Sequence, residues 1–513
     1  MELAAGTATI ADEASQDHHR GAVKHLRPSS SARLAICIFA VFQLLYILTS
    51  TGRVRTADEY NTLYTAESLV LRGSTSVPQA VQLHNFYGRR DLRGQPQAAY
   101  PPGQAVLCMP WFALGQYVLS RLPGVPAEDT DLVVGFSTCL SSATFSALVV
   151  AFFFLLLANV GVSVRSSALA ATLLGLATPI FAYSGWLFSE PLSAATFMAV
   201  AWIIFRQPGN AVTCRAAAVA GLILGLGTWI RPTNVLAIAI FVVAVLLRDG
   251  KAGWRAAAVF CAASAVGVLA LLFRDARLFG NPFDFGYPTT AGGVKIENRF
   301  DTPLATGLYG LLLSPGKSLL LFAPPAILAA LGLRRLWRLE RGLATLALGF
   351  PAVYLLFYAR YAYWEGGYCV GPRYLVPAVA MLCLGLGAVL ASDTARARYA
   401  AIVSLSVGAV VQGISLATSF MEDQTPARGH YYDAHWHYRL SYSLSGQVQL
   451  LWKYLREGQP PTLGLGWDRW FVFLHNGGVS ALTLACLAAL MILGLAISIV
   501  GVVRNMRSAS SSI

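Results

Sequence analysis

Apolar runs of roughly 17–25 residues recur along almost the whole chain, and a helix of that length matches the thickness of a lipid bilayer. Inside a bilayer the backbone finds no water, so the spanning segments must satisfy their own hydrogen bonds. Over 513 residues the charged share is only 12%, against roughly 25% in soluble proteins, and the mean hydropathy is +0.57. The predicted fold class is therefore an all-α polytopic membrane protein.

The runs at 34–50, 132–158, 166–184, 190–205, 216–230, 233–247, 254–273, 318–333, 343–358, 374–391, 399–418 and 479–503 make about twelve transmembrane helices. The stretch Gln104–Ser120 is apolar too, but short and interrupted by Pro110, and reads as a helix lying in the interface. The first 32 residues lack an apolar core, so no cleaved signal peptide is expected and Leu34–Ser50 reads as a retained signal anchor.

The net charge of +13 raises the question of nucleic acid, yet the basic residues form no single patch. They sit in short clusters between apolar runs, the pattern of membrane topology. Arg20, Lys24, Arg27 and Arg33 precede the first run and assign the tail 1–33 to the cytoplasm. Alternation then puts Val162–Arg165, Arg206–Arg215, Arg248–Arg255, Arg334–Arg341, Asp393–Arg398 and Arg504–Arg507 inside, and each carries basic residues. Counting Gln104–Ser120 as a span would turn every later cluster outward. The expected organisation is a core over 34–418 with an outer loop at 51–131, a second outer loop at 419–478, and a last span and cytoplasmic tail at 479–513. The eight cysteines are scattered without a CxxC and read as small core residues; Cys108 and Cys369 lie near loops, where pairing is open.

On this topology the unusual residues collect on the outer face. Loop 51–131 is far longer than a connector needs, and it opens with Asp58-Glu59. A carboxylate there can act as general base toward a hydroxyl, or can simply start the helix that follows. The same loop holds Ala66–Gly73, which reads as a short amphipathic helix closing on glycine, and the rigid turn Tyr100-Pro101-Pro102-Gly103. Ser189-Glu190-Pro191-Leu192 sets a carboxylate at the outer start of a span, either as ordinary helix-start chemistry or as a substrate contact.

Arg231, Lys317 and Arg373 stand at separate outer helix ends, where each suits a lipid headgroup and the three together suit a phosphate. Lys317 follows Leu312-Leu313-Ser314-Pro315-Gly316, whose resemblance to a nucleotide-binding loop fails on glycine spacing. Arg373 ends the glycine-rich, aromatic stretch that contains Glu365 and leads into Tyr374. The cluster His430-Tyr431-Tyr432-Asp433-Ala434-His435-Trp436-His437 matches no zinc spacing and equally suits a sugar-stacking loop.

Asp58-Glu59 after the first span, the Ala66–Gly73 piece and Tyr100-Pro101-Pro102-Gly103 together look like the first loop of GT-C glycosyltransferases. These are polyprenyl-phosphate-sugar-dependent membrane enzymes that include the protein O-mannosyltransferases and the lipid A aminoarabinose transferase. Ser189–Leu192, Leu312–Lys317 and Gly371–Tyr374 resemble bacterial members, and the likeness covers about residues 34–380. The resemblance implies Asp58 as base with Glu59 in support, and Arg231, Lys317 and Arg373 as holders of the donor phosphate. Tyr100, Glu190, Glu365 and Tyr374 complete the expected substrate-binding set. It also implies a polyprenyl-phosphate-linked sugar as donor, a glycan, lipid or protein acceptor, and membrane lipids as partners, in a bacterial inner membrane with the active face outward. A divalent metal ion assists some relatives and not others, and no ligand set is evident here. The competing readings are a transporter or flippase, which would carry charge at mid-membrane, and a polymerase or ligase for lipid-linked glycans.

Overall fold

The computed structural model describes residues 28–418, 443–457 and 470–511, apart from 85, 122–129, 208, 289, 292–293, 296–299, 368, 393, 472–474 and 476–478. Among these residues, seven helical stretches are long and apolar enough to cross a membrane: Ser31–Thr49, Leu132–Asn159, Pro232–Phe279, Arg341–Arg360, Arg373–Leu390, Ala395–Ala417 and Ala481–Arg507. Strands among them are confined to two small antiparallel hairpins, β1 (Gly88–Arg90) with β2 (Pro96–Ala98) and β3 (Thr290–Ala291) with β4 (Val294–Lys295). The chain is an all-α polytopic membrane protein.

In chain order the helices that matter below are α1 (Pro28–Thr49), α2 (Ala57–Arg72), α3 (Gly103–Leu119), α4 (Thr130–Asn159), α5 (Val164–Ala177) and α6 (Glu190–Phe205). They continue with α7 (Cys214–Gly227), α8 (Val235–Asp249), α9 (Trp254–Phe279), α10 (Leu304–Leu313), α11 (Pro325–Leu339), α12 (Arg341–Arg360), α13 (Val376–Leu382) and α14 (Leu384–Leu390). Each apolar run of the sequence falls on helix, although several are broken. Proline lacks the N–H that continues a helix, so the run at 166–184 stops at Ala177 and restarts at Pro179. The run at 318–333 likewise begins as one turn, Leu319–Phe322, before α11 starts at Pro325. The run at 374–391 divides at Cys383, for which we have no physical account.

One loop element differs from the sequence reading. The helix expected at Ala66–Gly73 starts nine residues earlier, at Ala57, with Thr56 as its N-cap and Gly73 (φ 63°) as its left-handed C-cap. Gly103–Leu119 forms a helix with one face buried: Cys108, Phe112 and Gly115 pack inward, and Gly115 lies against Val134 and Ser137 of α4. Val106, Leu107, Leu114 and Tyr117 are exposed on its other side. All eight cysteines are free, and Cys108 and Cys369 are both buried and unpaired.

Loop 51–102 is stitched down at several points. The Gly103 N–H donates to the Trp229 carbonyl at 2.9 Å, and a Cβ on Gly103 would sit 2.5 Å from the Trp229 carbonyl carbon. Only glycine permits that approach. The Leu92 N–H donates to Leu278 O at 2.8 Å, and Arg89 pairs with Asp284, so hairpin β1–β2 sits on the end of α9.

The bundle has two chemically different ends. At one, Arg248 donates to the carbonyls of Ile204 (3.0 Å), Gln207 (2.7 Å) and Asn210 (2.9 Å), and lies 3.7 Å from Glu340. At the other lie Glu190, Arg231 and Arg373, each at or just before the start of a helix. Glu190 and Phe205 terminate the same helix, so about 24 Å separates the two ends.

Helix α7 packs on α9 through glycine. A Cβ on Gly225 would lie 2.2 Å from Ser264 O, and one on Gly221 would lie 2.4 Å from Phe260 O. Close backbone approach of this small-xxx-small kind holds membrane helices together by contact alone. The Trp229 indole then donates to Gly267 O at 2.9 Å, fixing the chain just before Arg231. Gly225→Val should therefore destabilise the protein by about 1–3 kcal/mol, whereas Leu226→Val on the exposed side of α7 should leave it within about 0.5 kcal/mol. Thermal unfolding in detergent measures both, and equal melting temperatures would refute the glycine contact.

Candidate functional site

The site begins with a helix cap. Thr56 and Glu59 form a reciprocal capping box at the start of α2, the S/T-x-x-E arrangement that satisfies exposed N–H groups at a helix start. Glu59 Oε2 accepts from Arg55 N (3.0 Å), Thr56 N (3.0 Å) and Thr56 Oγ1 (3.1 Å). Its Oε1 accepts from Leu187 N at 3.0 Å, across 128 residues of chain. Burial pushes the Glu59 carboxyl above its ordinary range, and the surrounding N–H donors and Arg55 pull against that shift. Glu59, expected as a supporting catalytic group, is fully buried, and both of its oxygens accept hydrogen bonds. Gln104 completes the clamp: its amide donates to Leu187 O at 3.1 Å while its own oxygen accepts from Thr62 at 3.3 Å.

Asp58, one residue earlier, faces the other way. Its Oδ2 pairs with Arg373 Nη1 at 2.6 Å, and its Oδ1 accepts from the Tyr100 hydroxyl. Arg373 Nε in turn meets Glu190 Oε1 at 2.8 Å, and Arg231 pairs with that same oxygen. Four charged residues predicted separately thus form one continuous chain, Asp58–Arg373–Glu190–Arg231. Their exposures differ: the Glu190 side chain is 0% exposed, Arg373 10%, Arg231 18% and Asp58 24%. A carboxylate without water must be compensated, and Glu190 takes compensation from two guanidiniums.

Aromatic rings wall the cluster. The Arg373 guanidinium lies over Phe188 at 4.1 Å, and Tyr374 has Arg231 at 5.1 Å. Tyr374 stacks on Tyr358 at 4.3 Å, whose hydroxyl donates to Thr233 at 3.0 Å. Tyr100 contacts Tyr287 edge-on at 5.4 Å and Tyr87 at 6.4 Å. Burial, with Asp58 adding, holds the Tyr100 phenol well above its usual range, so it stays an O–H donor to Asp58. Phe188, Tyr87, Tyr287 and Gln104 escaped the sequence reading; Tyr287 in Gly286-Tyr287-Pro288 is a turn aromatic that carried a readable signal. Asn61, one helical turn from Asp58, was also missed, and both polar atoms of its amide are buried without a hydrogen-bond partner.

Lys317 does not join the guanidiniums. Its ammonium is buried against Gly367 O (3.2 Å), Cys369 O (2.6 Å) and Cys369 Sγ (3.1 Å). The loop it holds turns on Gly366, Gly367 and Gly371, all at positive φ (80°, 67° and 60°), and delivers Arg373. Lys317, expected as a phosphate contact, lies against the backbone of the segment that leads into Arg373.

Glu365, in the same loop, is 6% exposed with Oε2 unpartnered. Burial pushes its carboxyl from 4.5 up to about 7, against the pull of its own backbone N–H and Lys317. Between about pH 4.5 and about 7 the folded protein then holds a proton that the unfolded chain has released, so stability falls as pH rises through that window. Melting temperature should decline from pH 5 to 7 in the wild type, and Glu365→Gln should remove that part of the slope; an unchanged slope would refute it.

Among the described residues no three His, Cys, Asp or Glu side chains come together as a metal-ligand set. Asp58 and Glu190 both face guanidiniums, an arrangement that does not fit a divalent cation. The cluster His430–His437 lies outside the described residues. The Asp58 and Glu59 assignments separate experimentally. Glu59→Ala strands three backbone N–H groups and should cost at least about 2 kcal/mol. Asp58→Asn, which keeps an acceptor for Tyr100, should cost clearly less in the same melting experiment.

No family model and no curated protein matches the chain. Among solved structures it is similar to ArnT from Cupriavidus metallidurans bound to undecaprenyl phosphate, at 12% identity and a TM-score of 0.49, over 94% of this chain and 76% of that one. It is also similar to the same protein in the apo state, at 13% identity and a TM-score of 0.45, over 93% and 74% of the respective chains.

Proposed function

We propose that the protein is a membrane glycosyltransferase that moves a sugar from a polyprenyl-phosphate donor to an acceptor hydroxyl. The observation that carries this reading is the cluster itself: a partly exposed carboxylate, Asp58, within ion-pair distance of a buried arginine at one end of a membrane bundle. Asp58 takes the proton of the acceptor hydroxyl as general base. The hydroxyl oxygen forms the new bond to the anomeric carbon, and the bond to phosphate breaks with its electron pair leaving on polyprenyl phosphate. The leaving phosphate is already ionised, so it needs cations more than an acid, and Arg373 and Arg231 supply them. Tyr374 and Tyr287, both partly exposed, are the rings placed to give the sugar aromatic faces.

The reactive end is proposed to face outward. The opposite end gathers Arg206, Arg215, Arg248, Arg255 and the Arg334–Arg341 cluster, which the positive-inside rule assigns to the cytoplasm. A transporter would keep charges midway along its helices, whereas Glu190, Arg231 and Arg373 stand at helix starts. Purified protein should turn over one of a panel of polyprenyl-phosphate sugars, and Asp58→Asn should lower the rate by about 10²–10⁴-fold. Normal turnover by the variant would remove Asp58 as base. No turnover with any such donor by the wild type would remove the transferase reading.

A further inference from the structure

The Asp58–Arg373 contact puts the proposed base on the proposed phosphate holder, where the two would compete. The surroundings of Arg373 indicate which partner is permanent. Its face is covered by Phe188 at 4.1 Å, and its Nε edge is closed by Glu190, whose side chain has no exposed surface. Its Nη1 also reaches toward Gly366 O at 3.4 Å, which ties the guanidinium to its own loop. The remaining partner, Asp58 at 2.6 Å, belongs to a different element, the first turn of α2, and is the most exposed member of the cluster at 24%. An anion entering from the exposed side therefore meets Arg373 at the position that Asp58 holds.

We propose that Asp58 is a resident stand-in for the donor phosphate on Arg373, and that phosphate binding moves the carboxylate off the guanidinium. Two anions on one edge of a guanidinium repel each other, so the exchange is competitive. Tyr100 keeps hold of Oδ1 throughout, so Asp58 turns about that contact and stays at the site. Its Oδ2 lone pairs, committed to Arg373 while the site is empty, become available to an acceptor hydroxyl only after the phosphate has arrived. Donor binding thus switches on the base, and an empty site cannot deprotonate a hydroxyl. After the sugar has left, the returning carboxylate competes with polyprenyl phosphate for Arg373 and favours its departure. This proposal rests on the transferase reading.

The test is the affinity of the purified full chain for a polyprenyl phosphate without sugar, measured at fixed salt. Asp58→Asn removes the competing charge and keeps the Tyr100 contact, so its Kd should fall by about three- to tenfold even though turnover is lost. In an Arg373→Lys background, which keeps the charge but loses the fork, Asp58→Asn should give a much smaller gain. Each variant is first checked for the wild-type melting profile, with Arg373→Gln as the alternative should Arg373→Lys fail to fold and Arg231→Lys measured alongside. Equal or weaker binding by Asp58→Asn, with Arg373→Lys still weakening the wild type, overturns the stand-in role and leaves the phosphate site intact. Binding that is absent, or indifferent to both arginines, overturns the phosphate site and the stand-in together.

Discussion

A carboxylate with no exposed surface, at the start of a membrane helix, is what the architecture of this site has to accommodate. Removing Glu190 from water costs several kcal/mol unless positive charge is supplied at close range. The charge comes from two arginines that reach it from different segments, Arg231 from the break between α7 and α8 and Arg373 from the turn before α13. Because one oxygen, Oε1, serves both, the three helix starts are held in a common register. Loop 51–102 closes over this arrangement and adds the fourth charge. Its attachment points, Glu59 to Leu187 and Gly103 to Trp229, lie beside Glu190 and Arg231 in the chain.

Precision at the cluster is therefore inherited from contacts that carry no charge. Backbone approach at Gly221, Gly225 and Gly267 sets how far α7 stands from α9, and with it where Arg231 emerges. Three left-handed glycines and a buried lysine shape the loop that ends at Arg373. Such elements are stiff because each alternative leaves a polar group stranded or a backbone clash. A site built on them holds its arginines in place before any ligand arrives, which lowers the entropic cost of binding.

Much of this was legible in the sequence, for a simple reason. In a chain with so few charges, each charged residue at the end of an apolar run stands out, which marks Glu190, Arg231 and Arg373, while Asp58 is marked by the unusual length of the loop that it opens. Their mutual pairing was not legible, since Asp58 and Arg373 lie more than 300 residues apart and no local pattern encodes the contact. The different placement of Asp58 and Glu59 is readable in principle: Thr56-x-x-Glu59 is a capping signature, and it assigns the second carboxylate to the helix start. The placement of Lys317 apart from the guanidiniums is illegible for a different reason. Its burial depends on a loop whose course follows from glycine dihedral angles, and composition alone does not reveal which way such a loop turns. The broken helices were marked by proline at 179 and 325, while the division at Cys383 had no residue to announce it.

The formal charges of the cluster sum to zero, two carboxylates against two guanidiniums. An empty site is thus electrically silent toward the membrane around it and has little long-range pull on anions in general. Entry of the phosphodiester proposed as donor would leave the site one charge negative, and the proton drawn from an acceptor hydroxyl is the only positive charge that the proposed reaction itself brings in. The chemistry would then neutralise Asp58 at the moment the departing phosphate gains its second charge. Electroneutrality returns only when polyprenyl phosphate and that proton have both gone.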